Sequence, residues 1–332
     1  MIVETGYHRS VLRYLLPAAL VLLTACCPAF AQGYPAKPIR LVVGFAPGGA
    51  ADTVARAIGD PLGRVLGQTI IIDNRPGAGS SLAAELVAKA PPDGYTILIA
   101  SPSSQSVNPV INPNVGYHPE RDFAPITKLT SSPLVVTVHP SLPVHSIREL
   151  IVEAKKAPGK LNYATSGNGS APHLGAVLFS SLAGVEMVHV PFKGGAPAVQ
   201  SVLAGDTQVA FATPPSVLPL IQARRLRGLA VTTRFASPAV PGLPGMEEAG
   251  LANYDLTFWY GLFAPAGTPA EVMKRLYSAT GQVLQRPELK LLLAREGTDI
   301  SGSRSPEEFA AFLREDARLW ERLVRATGAK ME

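Results

Sequence analysis

The sequence predicts an α/β fold in which strands alternate with helices, with parallel sheets divided over two domains. Three observations predict it. Short apolar runs alternate with stretches of helical period along most of the chain, as βα units require. Three of the strand-to-helix junctions are glycine turns, after Val43, after Ala164 and after Val190. The chain has 332 residues, and roughly 300 of them lie beyond a leader-like start, which at typical domain sizes means two domains.

That start carries Arg9 and Arg13, then the apolar stretch Tyr14 to Ala25, then Ala29-Phe30-Ala31 before Gln32. The pattern is that of a secretory signal peptide over residues 1–31, cleaved after Ala31, and it predicts an exported, periplasmic protein. Leu23-Thr24-Ala25-Cys26 offers the alternative of a lipobox, which would leave a lipid anchor on Cys26. The apolar stretch is too short for a span, and no later segment reaches the roughly 20 apolar residues that one needs. Cys26 and Cys27 are the only cysteines, so the chain after Ala31 has no disulfide and must be stabilised by its core.

The first βα unit begins at Ile39-Arg40-Leu41-Val42-Val43, a strand. Gly44-Phe45-Ala46-Pro47-Gly48-Gly49-Ala50-Ala51-Asp52 follows, and then Val54, Ala57, Ile58, Leu62 and Val65 at helical spacing. Pro61 is expected to kink or end that helix near Gly59. Gly48 and Gly49 are expected to take positive φ and let the backbone approach a bound group, while the free N–H groups of the first turn carry partial positive charge. The turn lacks both the Gly-x-Gly-x-x-Gly spacing of a dinucleotide site and the Gly-Lys-Ser/Thr of a P-loop, so a small carboxylate suits it better than a nucleotide.

Thr69 to Ile72 and Thr96 to Ala100 read as the next strands, with Ser81 to Lys89 helical between them, and Asn108 to Pro119 as a surface excursion. Leu134 to Val138 is a strand. The helix Ile147 to Lys156 opens on a capping box, Ser146-x-x-Glu149. The second glycine turn, Thr165 to His173, follows Lys160 to Ala164 and opens the apolar helix Leu174 to Ala183, with Ser170 as N-cap and Pro172 in the first turn. The third, Pro191 to Ala198, follows Met187 to Val190. Gln208 to Phe211, Leu218 to Arg224 and Gly228 to Thr232 continue the alternation, and Ser237 to Pro244 is a second excursion.

After the strand through Thr257 to Phe263 the chain reads as helices only, at Pro269 to Leu284, Pro287 to Glu296 and Pro306 to Ala326. Helices appended there pack back on the first sheet, making that domain discontinuous: residues 32–132 plus 260–332 form one lobe and 133–259 the other. The crossings near Ser132 to Val138 and Thr257 to Phe263 form the hinge. Phe258 and Tyr260 share the strand face opposite Trp259, and a hinge strand exposes one face to the cleft.

The charge balance of +5 is mildly basic, and the densest cluster, Arg224-Arg225-x-Arg227, sits at a helix end where cations suit the dipole. No basic patch marks a nucleic-acid binder. Catalytic constellations are equally scarce. There is no Gly-x-Ser-x-Gly elbow and no His-Glu-x-x-His, and the six histidines show no metal-ligand spacing with acids, so neither metal nor cofactor is expected. Ser170 and His173 read as a cap and a first-turn residue; their use by an exported hydrolase is the rival reading. Lys193 beside its glycine turn reads as supplying charge to an anion or as simply solvated, with a Schiff-base lysine as the catalytic alternative. Asp52 either accepts a ligand amine or hydroxyl or favours the positive end of its helix.

Tyr34-Pro35-x-Lys37-Pro38-Ile39-Arg40, Phe45-x-Pro47-Gly48-Gly49-x-x-Asp52, Asp73-Asn74-Arg75-Pro76-Gly77-Ala78-Gly79, Pro91-x-Asp93-Gly94-Tyr95-Thr96 and Pro191-Phe192-Lys193-Gly194-Gly195-x-Pro197-Ala198 together resemble the Bug, or TctC, family of extracytoplasmic solute receptors. These are the binding components of tripartite tricarboxylate transporters. The resemblance runs from about Tyr34 to the C-terminus. It implies a two-lobed type II periplasmic-binding-protein fold, the Venus flytrap, acting as a monomer that delivers a small carboxylate to membrane transporter subunits, or alternatively to a sensor kinase. It also implies that the first loop (Phe45, Pro47, Gly48, Gly49, Asp52) holds a ligand carboxylate, opposed by Thr165, Ser166, Gly169, Ser170 and His173 and by Lys193, Gly194 and Ala196. Ser101, Ser103 and Thr213 complete the candidate contacts. Many members carry an acid after the strand Gln208 to Phe211; here the chain reads Ala212-Thr213-Pro214-Pro215-Ser216, which disfavours an amino-bearing ligand.

Overall fold

The computed structural model describes residues 33–112 and 114–327; the expected signal peptide over residues 1–31 and the alternative lipid anchor at Cys26 lie outside the described residues. Residues 33–36 belong to a separate N-terminal unit, with a cis peptide at Tyr34–Pro35, and Lys37–Glu332 form the compact second unit. The elements all belong to this second unit.

The chain begins with β1 (Ile39–Val43), α1 (Ala50–Leu66), β2 (Ile70–Asn74), α2 (Ser81–Ala88) and β3 (Thr96–Ala100). The short helices α3 (Asn108–Ile111) and α4 (Pro119–Asp122) lead into the long β4 (Phe123–Pro133). Then come β5 (Val135–Val138), α5 (Ile147–Lys156), β6 (Asn162–Thr165), α6 (Ala171–Ala183), β7 (Val188–Pro191), α7 (Gly195–Ala204), β8 (Val209–Ala212), α8 (Pro214–Gln222) and β9 (Arg227–Val231). The chain returns through β10 (Thr257–Pro265), α9 (Ala270–Leu284), α10 (Pro287–Arg295), β11 (Asp299–Ile300) and α11 (Pro306–Thr327).

Two sheets result, ordered β11-β4-β10-β3-β1-β2 and β7-β6-β8-β5-β9. The first therefore takes strands from both ends of the described chain. Both sheets are mixed, not parallel as the alternation suggested. β1 pairs parallel with β2 and β3, and β6 with β7 and β8, each through a helical crossover. β5 and β10 enter from the other sheet with no such crossover, and they run antiparallel to both of their neighbours.

α1 runs unbroken through Pro61, contrary to expectation. Its Val54, Ala55, Ile58 and Leu62 are all buried, on both sides of the proline in sequence, and this burial outweighs the missing hydrogen bond. Asn108 is also buried where a surface excursion was expected, and the last third adds the small strand β11 to its helices. The first core packs Val42, Leu98, Phe123, Trp259, Phe263 and Phe309; the second packs Val135, Ala164, Val202, Ala210, Val217 and Val231.

The crossings between the sheets lie at Leu134, between β4 and β5, and over residues 232–256, between β9 and β10. Thr232, fully buried, fastens the two. Its N–H donates to the Leu134 carbonyl at 2.9 Å, and its Oγ accepts from the Leu134 N–H at 2.7 Å while donating to the Leu256 carbonyl at 2.8 Å.

Candidate functional site

The three glycine turns meet where the sheets face each other. The Ala46 N–H donates to the Lys193 carbonyl at 3.2 Å, and the Ala171 N–H donates to Ser103 Oγ at 3.0 Å. A methyl group on Gly49 would stand 3.7 Å from the backbone nitrogens of both Gly195 and Ala196. The N-termini of α1 and α7 therefore point at one another, and their first-turn N–H groups, at Ala50, Ala51, Gly195 and Ala196, have no acceptor within their helices. Two positive helix ends so close repel, and an anion between them would be stabilised by both.

The gap between them is lined by Phe45, Gly49, Ala50 and Ala51 on one side, by Ser166, Pro172, Gly195, Phe211 and Thr213 on the other, and by Phe258 and Tyr260 of β10. No charged side chain lines it. Its volume is about 20 Å³, room for little more than a water molecule, so an organic acid enters only when the sheets separate. Phe258 and Tyr260 face this gap, whereas Trp259 packs edge-on to Phe309 on the other face. A second cavity of about 190 Å³ adjoins it, sharing Phe45 and Ser166 and otherwise lined by Gly44, residues 77–80, Gly167, Asn168 and residues 191–193.

Several predicted contacts hold the loops rather than line a cavity. Asp52 is buried and its carboxylate is fully engaged, accepting from the Gly48 N–H and Arg56 Nε at 2.9 Å each and from Asn74 Nδ2 at 3.1 Å. Burial opposes its charge, but the hydrogen bonds from Arg56, Gly48 and Asn74 keep its carboxyl below the usual range. Asn74 also donates to the Phe45 carbonyl, so Asp52 and Asn74 together set the first loop. Pro47 and Gly48 are exposed. Gly48 has the expected positive φ of 80°, but Gly49 does not: at φ −88° it is the extended N-cap of α1, a conformation open to any residue. Its value lies in lacking a side chain that would fill the gap.

Ser170 is the N-cap of α6 as read from the sequence, accepting the His173 N–H at 3.3 Å. His173 stacks on His189 with ring centroids 4.1 Å apart, and His189 stacks on Tyr163 and bonds Thr165 Oγ1 at 2.6 Å. Burial pushes His173 down to about 4 and His189 to about 3, with His173 contributing to the latter. Two neutral imidazoles thus support the Thr165 to Ser170 loop from beneath. His173 Nδ1 accepts the Gly169 N–H, leaving no lone pair there to activate Ser170. Gly194 caps α7, and a methyl on it would come 3.0 Å from the Ala46 nitrogen; Ala196 lies opposite Gly48. Ser101 is fully buried and its hydroxyl has no partner among the described residues.

Absent from the predicted contacts are residues 77–80, which line the second cavity. The glycines of the run Pro76-Gly77-Ala78-Gly79 are the sequence signal for this turn, whose residues 77–79 all have positive φ. Apolar lining from Phe211 and Pro172 had no chemical signature.

This mixed, two-sheet α/β arrangement is the fold of periplasmic solute-binding proteins, with two lobes. The chain belongs to the family described as tripartite tricarboxylate transporter family receptor, whose model matches residues 54–329. BugT of Bordetella pertussis is 32% identical over 96% of this chain and 99% of its own. A protein of R. palustris solved with adipate is 34% identical, with TM-score 0.87 over 90% of this chain and all of its own. MatC of Rhodopseudomonas palustris, solved with bound malate, is 31% identical, with TM-score 0.84 over 88% of this chain and all of its own. The family and these structures are of binding proteins, so the chain is a receptor for a solute and not an enzyme.

Proposed function

We propose that this receptor captures a small carboxylate between residues 32–132 with 260–332 on one side and 133–259 on the other, and delivers it in the periplasm to a tripartite tricarboxylate-type membrane transporter. One observation carries the reading: the N-termini of α1 and α7 oppose each other across a gap with no charged side chain, so backbone N–H groups, with the hydroxyl-bearing Ser166, Thr213 and Tyr260 among the lining, suit a carboxylate there. The adipate and malate held by two relatives are acids of the same kind.

Calorimetric titration with adipate and with malate tests the reading. One of these, or a related organic acid, is expected to bind with a rise in melting temperature and to be recovered unchanged. Absence of binding by a broad panel of carboxylates, or turnover of one of them, would overturn it. Intact-mass measurement of the exported protein checks location: an N-terminus at Gln32 supports soluble release, and an acylated Cys26 would replace it with an anchored form.

A further inference from the structure

Leu291 and Leu292 of α10 are 56% and 45% exposed, and among the described residues they are the only strongly exposed large apolar side chains that adjoin in sequence. They do nothing for the core. Leu289 and Leu293, one helical turn apart, already supply the buried side of this nine-residue helix. Apolar side chains left in water on a polar-rimmed face mark a surface that another molecule covers.

The rim here is cationic. Leu292 borders a groove of about 560 Å³ between α10 and the C-terminal half of α1, with Pro61 and Arg64 on one wall and Arg286 and Glu288 on the other. A third guanidinium adjoins it, because Arg275 of α9 donates from Nη2 to the Val65 carbonyl at 3.0 Å, at the residue after Arg64. Three arginines therefore stand against one acid. A guanidinium holds a carboxylate through two parallel N–H groups, and arginine at the edge of an apolar patch is a composition that protein interfaces favour. The face fits a protein segment bearing both acidic and apolar residues. An anionic lipid surface fits it less well, since segments that bind such lipids carry about four to eight lysines and arginines, and here Glu288 offsets one of the three. Pro61 and Arg64 lie roughly 16 to 21 Å along α1 from Ala50 at the gap between α1 and α7, and the groove shares no lining residue with that gap. A partner seated here leaves the solute site untouched.

We propose that this face of α1 and α10 docks an acidic, apolar segment that a membrane subunit of the transporter exposes on its periplasmic side, its apolar residues covering Leu291 and Leu292 and its carboxylates pairing with Arg64, Arg275 and Arg286. Such docking rests on the receptor reading and adds to it the surface and the chemistry of the partner.

The test adds the exported chain, carrying the photo-crosslinker p-benzoylphenylalanine in place of Leu292, to spheroplasts of the source cells, whose membrane proteins are open to it. Irradiation should join it to a membrane subunit of a tripartite tricarboxylate-type transporter, at a peptide rich in Asp or Glu when read by mass spectrometry. The same group in place of Val152, 55% exposed on α5, should give that adduct at less than about a tenth of the yield. Arg64→Glu combined with Arg286→Glu should lower the yield at least about fivefold with a melting temperature within a few degrees of wild type, and raising salt from about 50 to 500 mM should lower it in the unreversed chain. No adduct, an adduct with lipid, with a second copy of the chain or with any other protein, equal labelling from position 152, or a yield indifferent to the charge reversal would overturn the assignment. Where an organic acid still binds in calorimetry, that failure leaves the receptor reading intact; where none binds, both fall.

Discussion

Ala46 and Lys193, on opposite sides of the cleft, are joined directly by a backbone hydrogen bond of 3.2 Å, and Ala171 reaches Ser103 Oγ in a second link between the same two halves. Both links must break for an organic acid to enter a gap of about 20 Å³. The ligand-free chain is expected to rest with both links open, so saturating ligand, held only when the loops close on it, should reduce the radius of gyration in small-angle scattering. Ser103→Ala removes one acceptor from the closed form and should weaken binding by about two- to tenfold. A wild-type radius indifferent to ligand would contradict this account.

Gly49→Val should abolish binding without unfolding the chain. At φ −88° a branched side chain is not strained, and its Cβ makes ordinary contacts at 3.6 to 3.7 Å, but its methyl groups extend into the space before the N–H groups of Gly195 and Ala196. Calorimetry should show a loss of at least about tenfold with a melting temperature within a few degrees of wild type. Normal affinity in this variant would place the carboxylate elsewhere.

Thr232→Val should cost about 2 to 4 kcal/mol in urea denaturation, because it leaves the buried Leu134 N–H and Leu256 carbonyl without their hydroxyl partner. Thr232→Ser retains the hydroxyl and should recover most of that loss. A larger loss in Thr232→Ser than in Thr232→Val would show that packing of the methyl group, rather than the hydrogen bonds, holds the crossings.

Stability should fall as pH drops from about 6.5 toward 4. Unfolded histidines titrate near 6.5, while burial holds His173 down to about 4 and His189 to about 3 in the folded chain, so the unfolded state binds the extra protons in that window. Above about 6.5 the contribution is complete. His189→Phe keeps an aromatic ring in the stack and removes one titrating group, and it should reduce the slope of unfolding free energy against pH. An unchanged slope would contradict the assignment to this pair.

Local signals made much of the architecture legible. The strand at Ile39 to Val43, the N-cap at Ser170 and the closing helices could be read because each depends on neighbours within a few residues: apolar period, a capping hydroxyl, prolines at helix starts. Pro61 misled because its cost is local, whereas the burial of Ile58 and Leu62 that outweighs it comes from packing against the sheet.

What the sequence by itself determined was the βα alternation, the leader-like start and the three glycine turns as places for an anion. Tertiary structure alone decided that the helix ends of two of those turns oppose each other, that Asp52 is consumed in holding its own loop, and that Ser80 lies buried against Gly44. The first is set by how the two sheets face one another through Leu134 and Thr232, whereas the others bring Asn74 to Asp52 and Ser80 to Gly44 within the half built on the first sheet. No residue type or local spacing encodes such a contact, because it exists only once the sheets are assembled.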